Sequence, residues 1–286
     1  MNEIASCDEN PDESILDEFE NLIFDHHPLG HSILGTATTV SKFNQNDLKA
    51  FIQAIYHPSR ILLISAGNIP RQLLTKLIAH HFEKMPGINS LRQQNPPEVL
   101  PSFCAKQYRQ NHEAYCIMGI RTVAANHQHS YPLSLLNNIL GGASMTSRLN
   151  LSLREKHGLT YCVESNYTSY SDSGYLYIYF QTSPRHIQSA IQLIYNEIKA
   201  LKTKKLGSLQ LSQAKRQYLG QAFISWDIPQ NRILNMGKQM LLQDKIYDPE
   251  DLSLIIAQIS AKQLLEIAME YFIPDRFNTL LYYPDF

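Results

Sequence analysis

Residues Ser144 to Phe180, SMTSRLNLSLREKHGLTYCVESNYTSYSDSGYLYIYF, decide how this chain folds. Met145, Leu149 and Leu153 recur every four residues, which predicts one apolar stripe on a short helix that stops at Gly158, just after Lys156 and His157. Tyr161, Val163 and Tyr167 then alternate with smaller or polar residues. Ser171-Asp172-Ser173-Gly174 reads as a turn, and Tyr175 to Phe180 as the returning strand. The hairpin has one tyrosine face and one aliphatic face. The aliphatic face is expected to pack on helices, and the tyrosines to offer rings and hydroxyls to a partner or to water.

Outward from the hairpin the same logic continues. A strand pair is predicted at about Ala105 to Gln110 and Ala114 to Thr122, then a helix through Tyr131, Leu135 and Ile139. After the hairpin, Ile187, Ile191, Ile194, Ile198 and Leu201 mark a long amphipathic helix, and Leu211, Ala214, Tyr218 and Leu219 another. Pro229 opens a helix, Asp248-Pro249-Glu250-Asp251 the next, Ser260 caps a last one, and Asn278 to Tyr283 closes as a strand.

Towards the amino end, Asn10 and Pro11 start a helix whose stripe is Ile15, Leu16, Phe19, Leu22 and Ile23, running to about Phe24. Leu48, Phe51, Ile52 and Ile55 mark a second helix, Ile61 to Ala66 a fully buried strand, and Leu73, Leu74, Leu77 and Ile78 a third helix. Asn95-Pro96-Pro97 and Pro101 lie in a polar stretch, 89–102, with no periodicity. A linker at 96–103 therefore separates residues 1–95 from residues 104–286.

Composition narrows the function. With 44% hydrophobic and 18% charged residues the chain is ordinary globular protein, and 25 Lys plus Arg against 26 Asp plus Glu leave it near neutral. That balance removes the general electrostatic case for nucleic acid or an anionic membrane. No apolar run approaches the ~18 residues of a membrane span, and residues 1–20 are acidic rather than a basic-then-apolar signal. Cys7, Cys104, Cys116 and Cys162 show no CxxC pair and read as buried thiols of a reducing, cytoplasmic compartment.

Several strings in order resemble a family. Ser147-Arg148-Leu149, Arg154-Glu155-Lys156-His157-Gly158-Leu159-Thr160-Tyr161 and the Ser-Asp-Ser-Gly turn are similar to the substrate-binding half of the insulinase/pitrilysin/mitochondrial processing peptidase family, the inverted-motif zinc peptidases. Asn2-Glu3-Ile4, Asp8 to Glu13, His27-Pro28-Leu29-Gly30, Tyr56 to Arg60 and Ser65 to Asn68 follow the second half of the family's zinc-bearing domain. The resemblance implies an α+β fold, an antiparallel sheet with helices packed on one face. One partial domain (1–95) and one complete domain (104–286) are expected.

The resemblance also implies roles. Arg154 and Tyr161, seven positions apart, fall where the family holds the peptide against the zinc site and steadies the developing oxyanion. Glu3 falls on the distal zinc-ligand position, and Asp8 on the nearby acidic position that supports the ligands. Taken singly, Arg154 reads as a solvated helix-surface charge, Tyr161 as an ordinary strand aromatic, and Glu3 as a solvated carboxylate near a terminus.

The family's His-x-x-Glu-His, which supplies two zinc ligands and the general base, occurs nowhere in this sequence. His26-His27, His80-His81, His127 and His129 lack a Glu in the required place; the two adjacent pairs read as solvated, and His127 with His129 lies in a predicted loop. The resemblance implies that the motif-bearing part would lie upstream of Met1. The expected function is a portion of a zinc metalloendopeptidase, inactive alone, with zinc in the intact family and none held by this chain by itself. Its expected partners are a peptide substrate and either a chain carrying His-x-x-Glu-His or a homo- or heterodimer. The alternative is a non-catalytic, peptide-binding partner subunit of such a peptidase.

Overall fold

Alternation of apolar and aromatic residues in the carboxyl-terminal two thirds builds one five-stranded sheet: β1 (Cys104–Arg109), β2 (Ala114–Thr122), β3 (Thr160–Ser169), β4 (Gly174–Thr182) and β5 (Asn278–Pro284). The order is β1-β5-β2-β4-β3. The structure is a computed structural model and describes residues 2–82 and 95–285, so residues 89–94 of the stretch leading into the linker lie outside the described residues. Its helices are α1 (Asn2–Glu9), α2 (Pro11–Ile23), α3 (Ala37–Val40), α4 (Gln45–Ile55), α5 (Arg71–Phe82) and α6 (Ser130–Gly141). They continue with α7 (Ile187–Thr203), α8 (Ser208–Asp227), α9 (Pro229–Gln243), α10 (Pro249–Gln258) and α11 (Ala261–Tyr271).

The α+β fold is the expected one, with two additions. One of the four strand pairings, β1 with β5, is parallel. The predicted strand pair β1 and β2 are not neighbours, because β5 lies between them. The burial of each strand explains this: β5 is buried almost throughout and needs neighbours on both sides, whereas β1 is half-polar and suits an edge.

The aliphatic face packs as expected. Cys116, Met118, Leu176, Ile178 and Phe180 meet Leu133 and Leu136 of α6, Ile194 and Ile198 of α7, and Leu264 and Ile267 of α11. The tyrosine face is the second addition, for it faces neither water nor a foreign partner. Ile15, Phe19, Ile23 and Phe24, the stripe of α2 and its cap, bury Tyr115, Ile117, Tyr175, Tyr177, Tyr179 and Tyr282. Each apolar side chain so buried contributes roughly 1.5–3 kcal/mol. Gly119 makes the close approach possible: a Cβ there would lie 2.8 Å from the Phe19 ring and 2.8 Å from the Leu176 carbonyl oxygen.

Polar ends are matched as well. The hydroxyls of Tyr175 and Tyr179 donate to Glu20 and Asp12, and that of Tyr282 donates to Glu18 at 2.6 Å. Burial first, and these carboxylates second, push the phenols of Tyr175, Tyr179 and Tyr282 well above the usual range, while Tyr177 rises to about 12. A folded-state phenol raised above its unfolded value of about 10 contributes stability that is lost as pH rises past that unfolded value. Alkaline unfolding is therefore expected to begin near pH ~10, with absorbance at about 295 nm rising together with loss of far-ultraviolet ellipticity. Phenol ionisation complete before any loss of ellipticity would contradict it.

Residues 31–82 differ. Ile61 to Ala66, expected as a buried strand, pairs with no strand among the described residues and leaves Leu62 and Leu63 exposed. A strand needs a neighbour for its ladder, and none is within reach among the described residues. Helices α3, α4 and α5 bury no residue, so Phe43, Leu48, Phe51, Ile52, Leu73 and Leu77 stand in solvent. Among the described residues no single helix is long and apolar enough to cross a membrane; the bent pair α10 and α11 passes the length test only jointly and contributes to the core.

Candidate functional site

Arg154 lies on a segment that is π-wound, Asn150–Lys156, rather than on the α-helix the spacing predicts. Ser147 N–H donates to the Ser144 carbonyl at 3.0 Å, and the Asn150 amide donates to Ser147 Oγ at 3.0 Å, so Ser144–Ser147 is a turn. Met145 is thereby left exposed, whereas Leu149 and Leu153 are buried. Gly158 ends the segment with φ +58°. Its N–H returns to the Arg154 carbonyl at 3.1 Å, and that of Leu159 to the Leu153 carbonyl at 2.9 Å. This reversal feeds β3 back alongside the segment.

Tyr161 sits in a β-bulge. Thr160 pairs with Thr182 and Cys162 with Gln181, so Tyr161 has no partner on β4. An extra residue of this kind turns its side chain out of the pleat. Tyr161 is accordingly 96% exposed. Arg154 is also exposed, and its nearest carboxylate is that of Glu155 at 3.9 Å. Burial, then the Glu164 and Asp12 carboxylates, push the Cys162 thiol up, and the Arg154 charge pulls it the other way. Arg154, Tyr161, Cys162 and the first turn of α2 therefore occupy the same end of the sheet.

Part of the β3 edge is covered. Amides of Asn137 and Asn150 donate to the carbonyls of Ser165 at 3.1 Å and Val163 at 3.5 Å, which caps acceptors that an added strand would use. Arg148, on the same stretch, is tied to Glu197 at 3.4 Å and is structural.

Glu3 lies exposed in the first turn of α1, a helix the sequence reading did not anticipate, and Asp8 lies on the same helix. Asn10, whose side chain accepts from Asp12 N–H at 3.2 Å, joins α1 to α2 as a one-residue corner. Among the described residues no three His, Cys, Asp or Glu side chains stand together as metal donors. His80 and His81 share the last turn of α5, and His129 is bonded to the Tyr271 hydroxyl at 3.1 Å. A catalytic zinc takes about three protein ligands, so these residues do not fit the ion. The isolated chain is expected to hold zinc no tighter than adventitiously; stoichiometric zinc after dialysis, lost on Glu3→Gln, would overturn this. Of the cysteines, Cys116 is the buried thiol expected, whereas Cys104 and Cys162 are exposed.

Sequence reasoning missed Asp12, Glu18 and Glu20 as partners of the sheet tyrosines. The available signal was the pairing of a carboxylate-bearing, striped helix with an otherwise uncovered tyrosine face.

Known proteins share this architecture. An uncharacterized zinc protease of Rickettsia felis is 30% identical over 283 residues, covering 95% of this chain and 65% of its own length. The uncharacterized zinc protease YmxG of Bacillus subtilis is 28% identical over 273 residues, covering 96% of this chain and 66% of its own. The chain thus spans about two thirds of the length of these curated relatives. The crystal structure of a peptidase M16 inactive domain from Pseudomonas fluorescens superposes with TM-score 0.86 at 19% identity, over 99% of this chain and 68% of that one. A protease from Helicobacter pylori superposes with TM-score 0.84 at 18% identity, over 97% and 68%. The family model described as the peptidase M16 inactive domain matches residues 42–218, more than half of the chain. Together with the ordered motifs around Arg154 and Tyr161, that match makes this chain a member of the M16 family, the insulinase-type zinc peptidases, represented here by the inactive-domain side of the fold.

Proposed function

We propose that this chain is the peptide-holding part of an M16-type zinc metalloendopeptidase and acts only with a chain that carries His-x-x-Glu-His. The observation that carries the proposal is the bulge at Tyr161. A large aromatic turned almost wholly into water, seven residues after an exposed arginine whose nearest carboxylate is 3.9 Å away, is costly to leave without a ligand. Tyr161 offers a hydroxyl donor and Arg154 a forked donor, suited to a peptide carbonyl and to the charge that grows on it during hydrolysis. Zinc, where the family uses it, supplies Lewis-acid chemistry from the other chain; this chain's part is to bind and orient the peptide.

Two further features support the reading. Leu62 and Leu63 on an unpaired run, with Leu48, Phe51, Leu73 and Leu77 beside it in sequence, leave apolar surface for strands and helices of a partner. The relatives of known length are about half as long again as the part this chain matches, and they are called zinc proteases. The test is to combine the chain with such a partner and follow cleavage of an unstructured, internally quenched peptide. Cleavage that requires both chains supports the reading. Peptide binding without cleavage in any combination favours the non-catalytic partner subunit.

A further inference from the structure

A cleft of about 650 Å³ lies where β2 ends and β5 begins, bounded by residues 99–102, by Tyr271 at the end of α11 and by the turn that carries Asp275 and Arg276. Hydrogen bonds fix the wall at residues 99–102. The Ser102 hydroxyl donates to the Asp275 carbonyl at 2.7 Å, the Phe103 N–H to the Asn278 side-chain oxygen at 3.2 Å, and the Arg121 guanidinium to the Glu98 carbonyl. Leu100, Ile120 and Val123 give the cleft apolar surface, and Arg121 and Arg276 line it too. The register places it at the opposite end of the sheet from the Tyr161 bulge. Thr160 aligns through Thr182 with Ala114, whereas Thr122 pairs with Gly174 at the far end of β2, about 26 Å along the strand.

Neither arginine is neutralised by an ion pair. Among the described residues no carboxylate oxygen lies within 4.0 Å of either guanidinium. Arg276 is exposed. Arg121 is half-buried with its guanidinium 5.0 Å from the centre of the Phe24 ring; burial lowers its pKa, and the Asp172 charge pulls it back up. A cation drawn out of water in this way is stabilised by a counter-anion, and a carboxylate meets a guanidinium through two parallel hydrogen bonds. Asp275 is the acid among the lining residues, and Tyr271, its phenol raised to about 12 by burial and then by Glu270, is uncharged near neutral pH. Two arginines against one aspartate leave a charge of +1, which suits a carboxylate better than a doubly charged phosphate. We propose that this cleft binds a small organic monocarboxylate with a short aliphatic body, its charge on Arg121 and Arg276 and its body against Leu100, Ile120 and Val123. The site goes beyond the peptide-holding role proposed above and does not depend on it. A volume of about 650 Å³ is ordinary for a small-molecule site.

The test is calorimetric titration of the full chain with hexanoate, hexanamide and inorganic phosphate. Hexanoate is expected to bind with Kd on the order of 0.1–1 mM, as suits a ligand of its size. Hexanamide keeps the aliphatic body and loses the charge, and phosphate keeps a charge and loses the body. Each is expected to bind at least about tenfold more weakly. Arg276→Gln removes a side chain with no ion pair to lose, so its melting temperature is expected to stay near wild type while hexanoate affinity falls about tenfold or more. Arg121→Gln also gives up the Phe24 ring and the Glu98 carbonyl, so Leu100→Asp is the second variant: it sets a like charge against the ligand's body and is expected to abolish binding. No hexanoate binding at about 10 mM overturns the proposal. So does hexanamide binding as tightly as hexanoate, or wild-type affinity in a folded Arg276→Gln. Phosphate binding more tightly than hexanoate overturns the carboxylate assignment.

Discussion

Arg154→Ala in a complex with a His-x-x-Glu-His chain is expected to lower peptide turnover about 100-fold, with the melting temperature almost unchanged. Loss of one preorganised oxyanion donor costs ~10²-fold or more, roughly 3 kcal/mol in the transition state. Loss of a solvated surface arginine costs about 0.5 kcal/mol of stability or less and no activity. The gap between these outcomes is wide enough to decide the role of the residue. Tyr161→Phe is expected to act in the same direction, because it keeps the ring and removes only the donor. Lys156→Ala is the control, being exposed two residues along the same segment. Arg148 cannot serve as one, since its pairing with Glu197 at 3.4 Å makes its loss a structural change. Wild-type turnover from Arg154→Ala would return that residue to the solvated surface.

Brief chymotrypsin treatment of the chain alone is expected to cut first at Phe43, Phe51 and Tyr56. Phe43, in the turn between α3 and α4, is 65% exposed, and Phe51, on α4, is 56% exposed; neither helix has a buried residue. Phe19 and Phe24 are fully buried between α2 and the sheet, Tyr108 is paired with Tyr283, and Tyr161, itself unpaired, is flanked by the paired residues Thr160 and Cys162 of β3. Local opening governs such cuts, so sites with few buried contacts are lost orders of magnitude sooner than core sites. The amino-terminal fragment carrying α2 should then stay bound to the sheet through a gel-filtration column. A partner covering residues 31–82 should slow the cuts. Cleavage at Phe19 or Phe24 at a rate equal to that at Phe51 would refute the docking of α2, and equal resistance along the whole monomer would refute the exposure of α4.

The apolar residues of the amino-terminal third divide into a covered and an exposed set, and their surroundings explain the division. Ile15, Phe19 and Ile23 are spaced for one helix face, and that face found the tyrosine side of the sheet. Leu48, Phe51 and Ile52 are spaced equally well, and α4 formed where the periodicity places it. It has no sheet to meet, so the same pattern produced a helix in solvent. Ile61 to Ala66 has the β-branched and leucine content of a buried strand, but a strand is defined by its neighbour, and among the described residues none is within reach.

From local pattern alone the sequence determined the helix starts at Pro11, Pro229, Pro249 and Ala261, the turn before Gly174, the stop at Gly158 and the absence of a zinc motif, while Arg154 and Tyr161 became candidates only through the family resemblance. Those features depend on side chains within about one or two turns of each other, where periodicity and capping act. Only the tertiary structure decided that β5 separates β1 from β2, that α2 covers the tyrosine face, and that a bulge turns Tyr161 into solvent. Each depends on burial or hydrogen bonding between distant positions, as with Glu20 and Tyr175, 155 residues apart. Short-range preference is blind to such partners, because which faces meet is settled by the apolar area they jointly remove from water.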